Sequence, residues 1–208
     1  MVDAAAVAEH PERVVLYAIS FVVSAVLMGF EMVSGRLLYP YFGSGIDTWA
    51  ALISVTLCAL AIGAVAGGRL IDRRPSTSPI GVMVAIAWFY FSWLPVIADS
   101  AIGRLAERFG EGRVAVLLGA GALVLVPASL LGMLAPAAVR LLVTSTQSAG
   151  AVAGLVSGIS TAGSVAGTLV TAFVLIPAIG SRRITLVFTV MLAACAVGLF
   201  LIAKPRRA

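Results

Sequence analysis

Apolar runs of about 20 residues recur along this chain, and nearly all of its charge falls between them. A helix of that length crosses the hydrocarbon core of a bilayer, and its backbone satisfies itself within the segment. Of the 208 residues, 61% are hydrophobic and 11% are charged, which excludes an ordinary soluble domain. The pattern predicts an all-α membrane protein with six transmembrane helices. These cover about 14–39, a second from just after Asp47 to 70, then 80–98, 114–134, 152–176 and 184–203. Asp47 is the expected N-cap of the second. Pro127 is expected to bend the fourth, which extends in kinked form past Pro136 to Leu142. The organisation is then a tail over 1–13, one transmembrane domain over 14–203 and a basic tail over 204–208.

Between the third and fourth helices, Ile102, Leu105, Ala106 and Phe109 share one helical face. Arg104, Glu107, Arg108 and Glu111 avoid it. The pattern predicts a short amphipathic helix over 99–112, lying in the membrane interface. With the N-terminus inside, eight bases fall on the inner side and six on the outer, which favours a cytoplasmic N-terminus by a small margin.

The net charge of +5 is spread over helix ends rather than gathered in a patch, so nucleic-acid binding is not expected. Cys58 and Cys195 lie inside apolar runs and read as packing residues without disulfide or metal spacing. No nucleophile–base pair or metal-ligand cluster stands out, so neither an enzyme nor a cofactor is expected. His10 stands alone in the tail and is expected to be solvated. The tail lacks a basic n-region, so the first span is expected to be retained.

The first span carries the ionisable pair that most needs explaining. Glu31 and Arg36 sit at its far end, in Gly29-Phe30-Glu31-Met32-Val33-Ser34-Gly35-Arg36. An ionisable group inside a span usually faces a partner or a wet cavity. Five residues turn a helix by about 140°, so the two do not face each other and each needs its own partner. Arg36 can snorkel to the interface beside Tyr39 and Tyr41. Glu31 lies more than a turn deeper and its side chain is shorter. It is the candidate for binding a cationic group or a coupling proton, and Ser20 and Ser24 could extend a polar track below it.

Gly-Phe-Glu, Gly-Arg-Leu-Leu and Pro-Tyr-Phe-Gly, continued by Ser44-Gly45-Ile46, Thr48-Trp49-Ala50 and Gly67-Gly68-Arg69-Leu70, resemble the first helices of the membrane domain of fused major-facilitator/spermidine-synthase-like proteins. Leu131–Pro136, Ser160–Ser164 and Leu175–Pro177 fit the same family more loosely. The likeness runs from about Val14 onward, and the synthase-like domain is absent from this chain. The resemblance implies half of a major facilitator transporter. It also implies that Asp72, Arg73 and Arg74 belong to the gating loop between helices 2 and 3. After Arg74 the pattern departs, with Pro75 and Ser76 in place of a glycine and a base.

Small residues spaced by four let helix backbones approach closely. Gly63 and Gly67 have that spacing on helix 2. On helix 5, Gly150, Gly154 and Gly158 have it, as do Gly163 and Gly167. The expected use is a homodimer interface with Gly63 and Gly67 against Gly154 and Gly158 of the partner. Two copies would enclose a cavity lined by helices 1 and 4. The expected function is small-solute transport, with Glu31, Arg36 and Ser24 as substrate- or proton-binding residues. The polyamine-like substrate follows from the family's companion domain alone. The alternative is a membrane anchor or regulatory subunit for a separately encoded synthase-like enzyme.

Overall fold

The computed structural model describes residues 11–203. The expectations for His10, for the tail before Pro11 and for the basic tail from Lys204 therefore lie outside the described residues. All regular structure among the described residues is helical. Five helices are long and apolar enough to cross a membrane. They are α1 (Pro11–Phe42), α2 (Ile46–Arg73), α3 (Thr77–Phe109), α4 (Arg113–Leu142) and α5 (Thr146–Leu201). The last contains a break, because Gly180 has φ 75° and ψ 161°, outside the helical region. A first limb precedes that residue and a second limb follows it.

Contacts fix the direction of each limb. Side chains grafted at Gly163 and Gly167 would strike the backbones of Phe21 and Ala25, and Gly29 abuts Thr171. The first limb therefore runs parallel to α1. Phe188 also abuts Gly29, whereas Gly198 lies beside Ile19 and Val15, so the second limb runs back along α1. A glycine at φ 75° makes that reversal without the Cβ clash another residue would meet.

α2 and α4 form the corresponding parallel pair. A Cβ at Gly63 would enter the Ser129 carbonyl oxygen, and one at Gly67 would lie 2.6 Å from Met133 Cα. Surface ion pairs join the same two helices at both ends, Asp47 with Arg113 and Asp72 with Arg140, each at 3.4 Å. α3 packs on the second limb of α5. Asp99, ten residues before the end of α3, is tied there to Arg182 at 3.2 Å.

This pairing has an internal two-fold pattern. Gly63-Ala64-Val65-Ala66-Gly67 on α2 faces α4, and Gly163-Ser164-Val165-Ala166-Gly167 on the first limb faces α1. The same five-residue device, used in two helices of opposite direction, locks each to a parallel neighbour. The repeat stands in the sequence, but spacing alone does not say which partner each copy meets.

Two expected features are corrected. Residues 99–109 are helical but form no separate element. α3 runs unbroken from Thr77 to Phe109, 33 residues or about 50 Å, and Ile102 is fully buried. No helix breaker separates Ala98 from Ile102, so the helix continues until Gly110 at φ 72° ends it. Asp47 does not cap α2. The helix begins at Ile46 with Gly45 as N-cap, and Asp47 pairs with Arg113 instead.

The helix changes its hydrogen-bonding pattern at Pro127, where a bend was expected. Residues Gly121–Leu125 widen to a π-helix immediately before it. Pro127 has no N–H for the Leu123 carbonyl. Tyr90 on α3 supplies the missing donor, its hydroxyl lying 3.2 Å from the Leu123 oxygen and 2.6 Å from that of Ala122. α5 repeats the pattern, with a π-helix over Thr171–Leu175 before Pro177. Of the cysteines, Cys195 is buried as expected for a packing residue, whereas Cys58 is exposed on the outer face of α2.

Two outcomes follow. Gly63→Leu should destabilise the folded protein by about 2 kcal/mol or more, because backbone cannot yield to the added side chain. Gly154→Leu, which meets open space, should not. Thermal unfolding in detergent compares them. Tyr90→Phe should cost about 1–3 kcal/mol in the same assay, since it keeps the ring and strands carbonyl oxygens.

Candidate functional site

Three consecutive residues of α1 turn toward three different neighbours. Gly29 makes room for α5, since a Cβ there would lie 2.5 Å from Thr171 Oγ1 and 2.7 Å from the Phe188 ring. Phe30 is fully buried against Phe91 of α3, ring centroids 4.6 Å apart. Glu31 turns toward α2, where Thr56 faces it. The local motif thus places a carboxylate inside the bundle by surrounding it with packing on the adjoining helical faces.

Glu31 is 7% exposed. No base among the described residues forms an ion pair with it. The Thr56 hydroxyl lies near the carboxylate, yet Thr56 Oγ1 makes no hydrogen bond of standard geometry. Ser34, one turn further along α1, is fully buried and its Oγ also lacks a partner. Buried polar groups in proteins are nearly always hydrogen-bonded, and each orphan costs about 1–3 kcal/mol. Here a buried carboxylate and the Thr56 hydroxyl meet in the α1–α2 seam, and a second buried hydroxyl, Ser34, lies one turn further along α1. An arrangement of hard oxygen donors with no cation can accept a proton, an amine or a metal cation of suitable size.

Above this group lies a vestibule of about 420 Å³. Met32, Gly35, Arg36 and Tyr39 of α1 form one wall, Thr48 and Trp49 of α2 a second, and Ala172 and Ile176 of the first limb of α5 a third. Arg36 is exposed at its rim, with no acid paired to it among the described residues. Gly35 lies one turn, about 6 Å of helix rise, above Glu31. The Trp49 ring packs over Gly35, 3.3 Å from where a Cβ would stand, and Leu52 lies beside it. Together they separate the vestibule from Glu31.

The remaining expected site residues fall in different places. Ser24 is half-buried on α1. Ser20 is buried, but its hydroxyl donates to the Leu16 carbonyl at 2.8 Å within its own helix, so it does not extend a track. Asp72, Arg73 and Arg74 are exposed at the opposite end of the bundle. Asp72 meets Arg140 in the last turn of α4, an exposed pair of the kind worth about 0–1 kcal/mol. Pro75 and Ser76 have a structural use: the proline follows the end of α2, and Ser76 caps α3 by accepting from the Ser78 amide.

The expected dimer contact is corrected in half. Gly63 and Gly67 are buried against α4 of the same chain and are not available to a partner. Gly154 and Gly158 are exposed and meet nothing within 4 Å, as does Gly150. Sequence reasoning missed Thr56 and Trp49, because neither residue type is unusual in a span. Thr56 could have been found from its place on the buried stripe Leu52, Thr56, Ala59 and Gly63 of α2.

Thr56→Val should leave thermal stability unchanged or raise it by up to about 1 kcal/mol, because it removes an unpaired buried hydroxyl while keeping its shape. A marked loss of stability would mean that the hydroxyl is bonded in the folded protein.

No protein-family model, no curated protein and no solved structure matches this chain.

Proposed function

We propose that this chain is a half-size membrane transporter with six crossings, the two limbs of α5 counting as two, that moves a small solute as a homodimer. The observation that carries the reading is Glu31, a buried carboxylate of α1 that forms no ion pair among the described residues and has a vestibule one turn above it. A carboxylate kept only for stability would be expected to have a fixed counter-charge. Glu31 is the group we assign to a cationic end of the solute or to a coupling proton. A cationic amine or polyamine-like solute fits a carboxylate flanked by hydroxyls, and Tyr39 and Trp49 offer aromatic faces to a cation in the vestibule.

The internal pattern supports a transporter of inverted-repeat type. Exchanging the first three crossings for the last three converts the α1–first-limb pair into the α4–α2 pair. It also carries one glycine device onto the other. Inverted repeats of three helices build each half of a major facilitator transporter. This is the family proposed from the resemblance of the first two helices. The open face at Gly150, Gly154 and Gly158 is where a second copy would seat. Beside it a groove of about 290 Å³, lined by Ser157, Ser160, Thr161 and Ser164, would turn toward the partner. The N-terminus is placed in the cytoplasm because Arg69, Arg73, Arg74 and Arg140 share its end of the bundle.

A second reading, a membrane anchor for a separately encoded synthase-like enzyme, is favoured by one observation: Glu31 is closed off from the vestibule by Trp49 and Leu52.

Uptake into liposomes containing the purified protein, across a panel of amines and with an imposed pH gradient, separates the two. The transporter reading expects Glu31→Gln to fold normally and to lose uptake by about tenfold or more, since one lost charge-assisted contact is worth about 1.5–3 kcal/mol. Uptake by the variant equal to wild type would overturn the role of Glu31, and absence of uptake by wild type would favour the anchor. Gly154→Leu should shift the protein from dimer to monomer in detergent. An unchanged dimer would exclude this face as the interface.

A further inference from the structure

At the end of the bundle away from Arg36, a groove of about 740 Å³ opens between the end of α2 and the start of α3. Its rim is polar, with Arg74, Ser76, Thr77 and Ser78. Its walls are apolar and include Leu70, Val82 and Met83. Val82 is 43% exposed, so the groove is continuous with the outer apolar surface of the bundle.

Three features of the rim point to an anion. Arg74 has no acid paired with it among the described residues. Thr77 is only 9% exposed, and its hydroxyl has no hydrogen-bond partner. The rim is also the N-terminus of a 33-residue helix without an acid in its first turn. There the dipole favours negative charge. The Ser78 amide goes to Ser76 Oγ and Pro79 has none, which leaves the Thr77 amide as a donor of the first turn. Glu12 also lines the groove and is engaged in an interaction of its own.

We propose that this groove binds the phosphodiester headgroup of an anionic phospholipid. Arg74 and the Thr77 hydroxyl and amide hold the phosphate oxygens, and an acyl chain lies along Leu70, Val82 and Met83. A free phosphate shares the headgroup chemistry but makes no use of the apolar wall. The wall and its opening to the outer surface favour the lipid. The rim lies where helix ends meet headgroups, on the same end as Arg69, Arg73 and Arg140, which would reinforce a preference for anionic lipid.

Native mass spectrometry and thermal unfolding of the full chain in detergent test the proposal, with phosphatidylglycerol, phosphatidylcholine and inorganic phosphate as separate additions. Phosphatidylglycerol should be retained and should raise the midpoint, and phosphatidylcholine should do neither. Arg74→Gln should weaken retention about tenfold, as expected for loss of a charge-assisted contact. Thr77→Val keeps the shape of an unbonded side chain, so it should fold as wild type and still weaken retention. Arg183→Gln, at the other end of the bundle, should bind like wild type. Equal retention of both lipids, or wild-type retention by Arg74→Gln and Thr77→Val, overturns the site. The same midpoint shift from inorganic phosphate, with displacement of the lipid, would make it a free-phosphate site and overturn the lipid assignment.

Discussion

In hydrocarbon an apolar side chain gains little by leaving lipid for protein, so two helices associate where their surfaces come close enough for dispersion and backbone contact to add up. In this bundle that closeness depends on glycine. At Gly63 and Gly67 the α2 backbone rests on α4, and at Gly163 and Gly167 the first limb of α5 rests on α1. A methyl group at any of the four would enter a neighbouring backbone. The helix pairs, their parallel directions and their register are consequences of those contacts. By comparison α1 touches α2 only sparingly. The bundle is therefore three closely joined pairs, α1 with the first limb of α5, α2 with α4 and α3 with the second limb, with a looser seam between α1 and α2.

Such close packing leaves little tolerance for unpaired backbone, and both internal bends are built accordingly. A proline removes one hydrogen bond from its own helix. Before Pro127 and before Pro177 the helix widens into a π-helical turn, which shifts the hydrogen-bonding register around the missing donor. At Pro127 the oxygens of Ala122 and Leu123 face α3, where the Tyr90 hydroxyl meets them. The result is a tie between α3 and α4 made by a proline's missing donor.

The membrane character and the approximate place of each helix were legible because a span must be continuously apolar, and hydropathy reports that directly. Helix ends were less so. α3 was expected to stop near Ala98, where charge begins, yet charged residues are compatible with helix and only Gly110 ends it. The glycines were legible as close-contact devices, but not by partner. Gly63 and Gly154 have the same spacing pattern and opposite surroundings, one against Ser129 and one open. Which face of a helix turns inward depends on every other helix, and a local spacing does not encode it. Glu31 could be singled out because a carboxylate in a span is rare, whereas Thr56, Ser34 and Trp49 are ordinary residues whose interest comes only from facing it or closing over it.

The place of Glu31 relative to the tight pairs bears on how such a bundle could work. A carboxylate in a low-dielectric interior must have its charge compensated by a proton, a cation or access to water. A glycine-locked contact could not open to provide that access without losing its packing. The α1–α2 seam, where Thr56 lies beside Glu31, has less packing to lose than either glycine-locked pair. The vestibule at Arg36 already enters that seam from one end. Under the internal two-fold pattern its counterpart is the seam between α4 and the first limb of α5, and there the Ser/Thr-lined groove enters from the other end. The α1–α2 seam and its counterpart are thus entered from opposite ends of the bundle, while the glycine-locked pairs stay closed. The unpartnered hydroxyls of Thr56 and Ser34 add to the cost of this packing, since each buried polar group left without a partner costs about 1–3 kcal/mol.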